Sequence, residues 1–258
     1  MSSILNKCLK YQFLFEELVK RDFKKKYKRA VLGILWSMIS PLAMLLIMSI
    51  IFGHFFGGRV PHYTIYLLAG QIVWGYYSEA TNSGMNALNN NSSIFSKMNI
   101  PKFLFVCSIN VSSLINFILT FIIFLIFTFI DGITFKLSFF MLIIPIVCLV
   151  VFNYGIGLIL SALYIFYKDI QYLYKVFLQL LMYCSAIFYT IDILPENLQV
   201  FFYLNPIYVY ITYFREIVVF NNIPSLELNV LAFLYALLAL FIGMYVYKRY
   251  NYKFLYYI

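Results

Sequence analysis

Apolar residues in this chain gather into runs of membrane length, at about 31–56, 64–88, 103–130, 139–165, 173–194 and 226–247, with short polar or charged stretches between them. Each run holds about 22 residues or more, enough to cross roughly 30 Å of hydrocarbon at 1.5 Å per residue. The pattern predicts an all-α integral membrane protein, six transmembrane helices in a single domain over residues 1–258.

Two segments depart from it. Within residues 4–29, Tyr11, Leu14, Phe15 and Leu18 recur at helical spacing, with Glu16, Glu17, Lys20 and Arg21 off that face. This predicts an amphipathic helix lying in the membrane interface; the alternative is a flexible basic tail. Residues 195–224 are too apolar for a solvated loop and too interrupted, at Asn205-Pro206 and Arg215-Glu216, for a clean span. Irregular backbone at membrane depth survives only where protein or a wet cavity covers it. Two short helices are therefore expected, about 197–204 and 207–221, dipping into the outer leaflet and broken at Pro206.

Charge sets the orientation. Arg21, Lys24, Lys25, Lys26, Lys28 and Arg29 run straight into the first apolar stretch. Of the 19 Lys and Arg residues, only Arg59, Lys136 and Arg215 fall on the opposite side of a six-span topology. That bias places both termini in the cytoplasm. With 64% hydrophobic and 11% charged residues and a mean hydropathy of +0.87, the chain leaves no room for a separate soluble domain. The net charge of +9 flanks apolar spans, so its partners are anionic membrane lipids and not nucleic acid. Cys8, Cys107, Cys148 and Cys184 are scattered singly and are expected to be free thiols. Residues 1–30 carry charge throughout, and no cleavable signal peptide is expected there.

Candidate chemistry is sparse. Neither GxxxxGK[ST] nor GxGxxG occurs, so no nucleotide cradle is expected in this chain. His54 and His62 lack metal-site spacing and read as interfacial residues, and Asp192 and Glu196 flank a proline turn. No catalytic residues, metal site or enzyme activity are expected. Ser108, Ser112, Asn116 and Thr120 recur every four residues, a polar ridge that either bonds a neighbouring helix or lines a channel. Glu79 lies inside the second span among Ser78, Thr81, Asn82 and Ser83, and needs either a partner or a wet cavity. Gly53 and Gly57 make a weak GxxxG. The 54 aromatic residues serve as interfacial belts or packing, or as ring faces along a glycan conduit. In the loop 89–102, Ile94 and Phe95 read as an exposed apolar plug for a soluble partner, or as part of a plain connector.

Taken together, the residues resemble the ABC type-2 permease family, in the branch exporting polysaccharides, O-antigens and teichoic acids. The resemblance rests on Arg21-Asp22, Tyr27, Leu32-Gly33, Trp36 and Pro41 at the start. It continues through Lys97–Pro101 and Tyr167-Lys168-Asp169-Ile170 to Phe188-Tyr189, Leu194-Pro195, Asn205-Pro206, Arg215 and Pro224. Lys168 stands where the family commonly has Arg, which gives up bidentate pairing. Ala186 stands where the family has Pro, which removes a helix-kinking residue from the fifth span.

The resemblance implies a homodimer in the bacterial cytoplasmic membrane with two cytoplasmic P-loop ATPase subunits, which bind the ATP and Mg. The substrate it implies is a glycan or polyol-phosphate polymer on a polyprenyl-diphosphate lipid. Asn91, Ser92, Ile94, Phe95, Lys97, Met98 and Pro101 are the implied ATPase-coupling residues. The basic cluster Arg21–Arg29 suits a diphosphate headgroup at the cytoplasmic gate, or serves as membrane anchoring alone. Channel-lining candidates are Trp36, Glu79, Ser108, Ser112, Asn116, Thr120 and Tyr189; outer-gate candidates are Pro195, Asn205, Pro206 and Arg215. The rival readings are an ABC type-2 exporter of drugs, peptides or small lipids, and a self-sufficient carrier or channel.

Overall fold

A computed structural model describes residues 11–27, 33, 35–58, 60–98, 100–255 and 257. All regular structure among the described residues is helical. The helices are α1 (Gln12–Tyr27), α2 (Leu35–Phe56), α3 (Tyr63–Met85), α4 (Ala87–Asn90), α5 (Ser92–Phe95), α6 (Phe103–Ile130), α7 (Ile143–Phe166), α8 (Ile170–Tyr183), α9 (Glu196–Phe202), α10 (Pro206–Val218) and α11 (Leu226–Tyr250). A 3-10 segment, Leu137–Leu142, leads into α7. Three elements are long and apolar enough to cross a membrane: α6, α7 with its 3-10 lead, and α11.

The second apolar run forms the centre of the bundle. Helix α3 packs against α6 and α7 and also touches α2 and α10. Protein covers it from Tyr63 to Met85, which is how a helix carrying Gln71, Glu79 and Asn82 is housed among apolar neighbours. The most extensive pairing joins α7 to α11. A Cβ on Gly155 would sit 2.4 Å from the Ala239 carbonyl carbon, and one on Gly243 would sit 2.5 Å from the Gly155 oxygen. Backbones this close need small residues. Gly53 and Gly57, the GxxxG pair visible in the sequence, face no other helix this closely.

The first correction concerns α1. Its predicted apolar face is real, but it packs on protein as well as facing the interface. Leu18 is buried in a cluster with Leu88, Phe95, Leu104 and Phe105, and Tyr11, Leu14 and Phe15 pack against that cluster. Phe13, off the predicted face, is the large apolar residue left exposed. We call the end carrying α1, α4, α5 and the C-terminus of α11 the basic end. The predicted helix start at residue 4 lies outside the described residues.

The second correction is the fifth span. The run 173–194 predicts a helix through residue 194, yet α8 spans Ile170–Tyr183 and stops. The chain breaks without a proline. Ala186 takes a positive φ of 47°, a left-handed conformation that disfavours any residue with a Cβ. The carbonyls released by the break are met by side chains from other elements. Arg215 donates from Nη1 to Ala186 O at 3.0 Å, from Nη2 to Ile187 O at 2.8 Å and from Nε to Tyr66 O at 3.3 Å. Tyr63 donates to Phe188 O at 2.7 Å and Tyr66 to Tyr189 O at 2.9 Å. Asn205 Nδ2 reaches Cys184 O at 3.1 Å. An irregular stretch flanked by apolar helices thus keeps its backbone hydrogen-bonded.

The two short helices fall close to their expected positions but behave differently from each other. Helix α9 is mostly exposed, whereas α10 is buried along most of its length. Pro206 opens α10 rather than breaking a longer helix: Asn205 Oδ1 accepts from Ile207 N at 3.0 Å and caps it. Arg215 is 3% exposed, so this outer-gate candidate lies in the interior and lines no opening. Pro195 is the N-cap of α9. Tyr189 is spent on structure as well, donating to Tyr183 O at 2.7 Å.

Candidate functional site

At the basic end, α1 lies across α6 and leaves a polar space against α3. Two cavities occupy it. The outer one, about 560 Å³, is lined by Arg21, Asp22 and Lys25 of α1, by Asn82, Ser83 and Asn86 of α3, by Asn90 and Asn91, and by Ile109 and Ser112 of α6. The inner one, about 340 Å³, is lined by Tyr27, Gln71, Tyr76, Asn116, Phe117 and Thr120, with Ser40 and Pro41 of α2 at one side. Lys26, Glu79 and Ser113 line both.

A hydrogen-bonded chain builds the wall between them. Lys26 Nζ sits 2.8 Å from Glu79 Oε2, and Asn116 Nδ2 donates to Glu79 Oε1 at 2.7 Å. The Tyr27 hydroxyl donates to Asn116 Oδ1. Farther toward the basic end, Arg21 pairs with Asp22 at 2.6 Å, and Ser108 donates to Asp22 Oδ2 at 3.0 Å. The ridge on α6 therefore meets α1 and α3 through Ser108 and Asn116 and faces the cavities at Ser112, Asn116 and Thr120. Gln71 stands apart, since both polar atoms of its side chain are buried with no hydrogen-bond partner. Among the described residues, no three of His, Cys, Asp or Glu come together to hold a metal ion.

The cavity and the helices around it can be compared with known proteins. A family described as ABC-2 type transporter matches residues 14–219, a stretch that takes in α1 through α10 apart from the first residues of α1. The chain belongs to the ABC-2 type transporter family. An O-antigen export system permease protein RfbA of Klebsiella pneumoniae is 26% identical over 247 residues, covering 94% of this chain and 95% of the relative. The RfbA of Myxococcus xanthus is 22% identical over 233 residues, covering 88% of each. The polysialic acid transport protein KpsM of Escherichia coli is 24% identical over 237 residues, covering 90% of this chain and 92% of the relative.

The segment joining α3 to α6 in this ABC-2 transporter chain differs from the sequence expectation at its centre. Phe95 is 4% exposed, packed 5.9 Å from Phe105, and Ile94 is half-buried. The pair is an anchor and not an exposed plug. The outward surface of the segment is Ser93, Ser96, Lys97 and Met98, with Ser92 and Pro101 half-buried and Asn91 buried. Lys102 fixes this segment to the C-terminal tail. Its ammonium donates to Asn251 O at 2.8 Å and lies 5.7 Å from the ring centres of both Phe95 and Phe254. Burial pushes its pKa below the ordinary lysine value. Lys168 donates to Asn89 Oδ1 at 2.8 Å and stacks over Tyr164 at 4.8 Å, contacts a point charge makes without a guanidinium fork.

Of the basic cluster, Arg21, Lys25 and Lys26 reach the cavities, and Lys24 is exposed without lining them. Lys28, Arg29 and the Trp36 side chain lie outside the described residues. Gln71, Tyr76, Asn86 and Asn90 line the cavities and were missed in the sequence. The signal was present: Gln71, Gly75, Glu79, Asn82, Ser83 and Asn86 share one helical face, and only the middle of that face reads as a cluster by eye.

Proposed function

We propose that this chain is the membrane-spanning permease subunit of an ABC exporter that carries a lipid-linked polysaccharide or teichoic-acid-type polymer out across the bacterial cytoplasmic membrane. The observation that carries the reading is the breadth of the similarity. Relatives named for O-antigen export and for polysialic acid transport align over 88% to 94% of the chain. A polar cavity with a basic mouth at one end of an apolar bundle is a fitting entry for an anionic, hydroxyl-rich substrate.

In this reading α2, α3, α6, α7, α8 with its broken extension, and α11 are the six spans, and the basic end is cytoplasmic. ATP and Mg are bound by a separate P-loop ATPase, one copy on each of two permease subunits. A second copy of the chain covers α8, whose Tyr172, Leu173, Val176, Phe177 and Leu180 are exposed. A 14-residue helix reaches only about 21 Å, short of the roughly 30 Å hydrocarbon layer, so protein covers it better than lipid does.

The test is purification of the tagged chain from its native membrane in mild detergent, with mass spectrometry of what accompanies it. A P-loop ATPase is expected in about equal amount, and it is expected to be lost from a Lys97→Glu, Met98→Ser double variant that still runs as a single species on gel filtration. Both positions are exposed, so the substitutions test docking rather than folding. An intact chain that brings down no ATPase and transports by itself would make it a self-sufficient carrier.

A further inference from the structure

The two cavities communicate through a charge pair, and the charges around it are unevenly matched. In the outer cavity Arg21 and Asp22 neutralise each other at 2.6 Å. Lys25 makes no ion pair among the described residues, and Lys26 is neutralised by Glu79 alone. We propose that the Lys26–Glu79 pair is an anion-exchange latch. A phosphate group entering the outer cavity takes Lys26 from Glu79, and the parting of the pair opens the inner cavity to the hydroxyl-bearing part of the same ligand. This rests on the reading of the chain as an exporter of a phosphate-bearing, lipid-linked polymer.

The geometry carries the exchange in both directions. Lys26 and Glu79 side chains are 40% and 32% exposed, so the pair is partly solvated and weak enough to exchange. A phosphate oxygen set beside Lys25 and Lys26 meets two ammonium groups where Glu79 meets one. Glu79 is not orphaned when Lys26 leaves, because Asn116 still donates to its other oxygen at 2.7 Å. The ligand that follows is specified by the inner cavity. Apart from the shared pair its polar lining is uncharged, with Tyr27, Tyr76, Ser113, Asn116 and Thr120. The Gln71 amide there has no partner for either polar atom. A buried amide left unpaired costs about 1–3 kcal/mol, and a sugar or polyol hydroxyl satisfies it.

The test reads access to the inner cavity directly. A cysteine is placed at Gln71, or in a second variant at Thr120, in the full chain held in phosphatidylcholine nanodiscs with its ATPase. Its alkylation by iodoacetamide is timed by site-resolved mass spectrometry, which separates it from the native thiols. The reagent is neutral, so altered charge does not bias its entry. Inorganic pyrophosphate is expected to raise the rate by about fivefold to tenfold, the scale of losing one ion pair and its charge-assisted hydrogen bond. Glu79→Gln, which keeps the Asn116 contact, is expected to give the faster rate without pyrophosphate and to respond to it no further. Acceleration by phosphatidylglycerol in the disc, and not by pyrophosphate, would assign the anion to a bulk lipid headgroup and keep the latch. Equal rates in wild type and Glu79→Gln, or a rate indifferent to both anions, would overturn it. Polymer display on cells is scored separately, so a chain that exports without the rate change refutes the latch alone. A chain that shows the rate change without exporting refutes the export reading alone.

Discussion

Arg215 is 3% exposed, and its guanidinium ends on the carbonyls of Tyr66, Ala186 and Ile187, with its carbon 3.4 Å from the centre of the Tyr66 ring. Gly70 makes room for it: a Cβ there would meet Arg215 Nη2 at 3.1 Å. Arg215→Ala leaves these carbonyls buried without a donor, and the expected loss is about 3 kcal/mol or more at 1–3 kcal/mol for each orphaned group. Arg215→Lys keeps the charge but not the fork, so its loss is expected to be smaller. Thermal unfolding of the detergent-purified variants, followed by gel filtration after heating, checks the order wild type, Lys, Ala. Equal stability of all three would mean that the guanidinium does not hold the break. The sequence marks Arg215 as unusual because it is ionisable among apolar residues. It does not mark its partners, since backbone carbonyls have no sequence signature. Phe95 was misread for a related reason: an apolar pair in a polar loop looks the same whether it faces a partner or the core.

Helix positions were legible wherever the apolar run and the helix coincide, as in α6, where 103–130 is both. They were not legible where a run continues past the hydrogen-bonded helix. The apolar sequence after Tyr183 supports a helix, but the chain turns at Ala186, and tertiary hydrogen bonds from α3 and α10 decide the outcome. Helix pairing followed the same rule. Gly53 and Gly57 carry the familiar spacing, whereas the tight contact uses Gly155 with Ala239 and Gly243, part of a stripe of small residues on α11 with Ala232 and Ala236. Spacing identifies a stripe, and the opposing helix decides whether it is used. Gly155→Ala is expected to lower stability by about 2 kcal/mol through overpacking. Gly75→Ala, where a Cβ meets nothing within 4 Å, is expected to leave it unchanged or raised. Melting curves of the two variants side by side test this, and equal behaviour would remove the close approach of α7 and α11 as a determinant of the fold.

At the scale of the whole molecule, the two ends of the bundle are built differently. The distal end is closed around Arg215 and the buried α10, while the basic end holds polar cavities between α1, α3 and α6. A lipid-linked anionic polymer presented at the basic end meets the open face first. The membrane class, the helical composition and the family were readable from the sequence because hydropathy and charge bias are local properties. The cavities were not, because their walls come from three elements far apart in the chain. The most direct measurement is to delete the gene and fractionate lipid-linked glycan between the cell interior and the surface. The account predicts that polymer disappears from the surface, accumulates inside on its lipid carrier, and returns to the surface when the intact chain is supplied. Polymer reaching the surface unchanged in the deletion strain, with altered sensitivity to a drug or peptide instead, would contradict it.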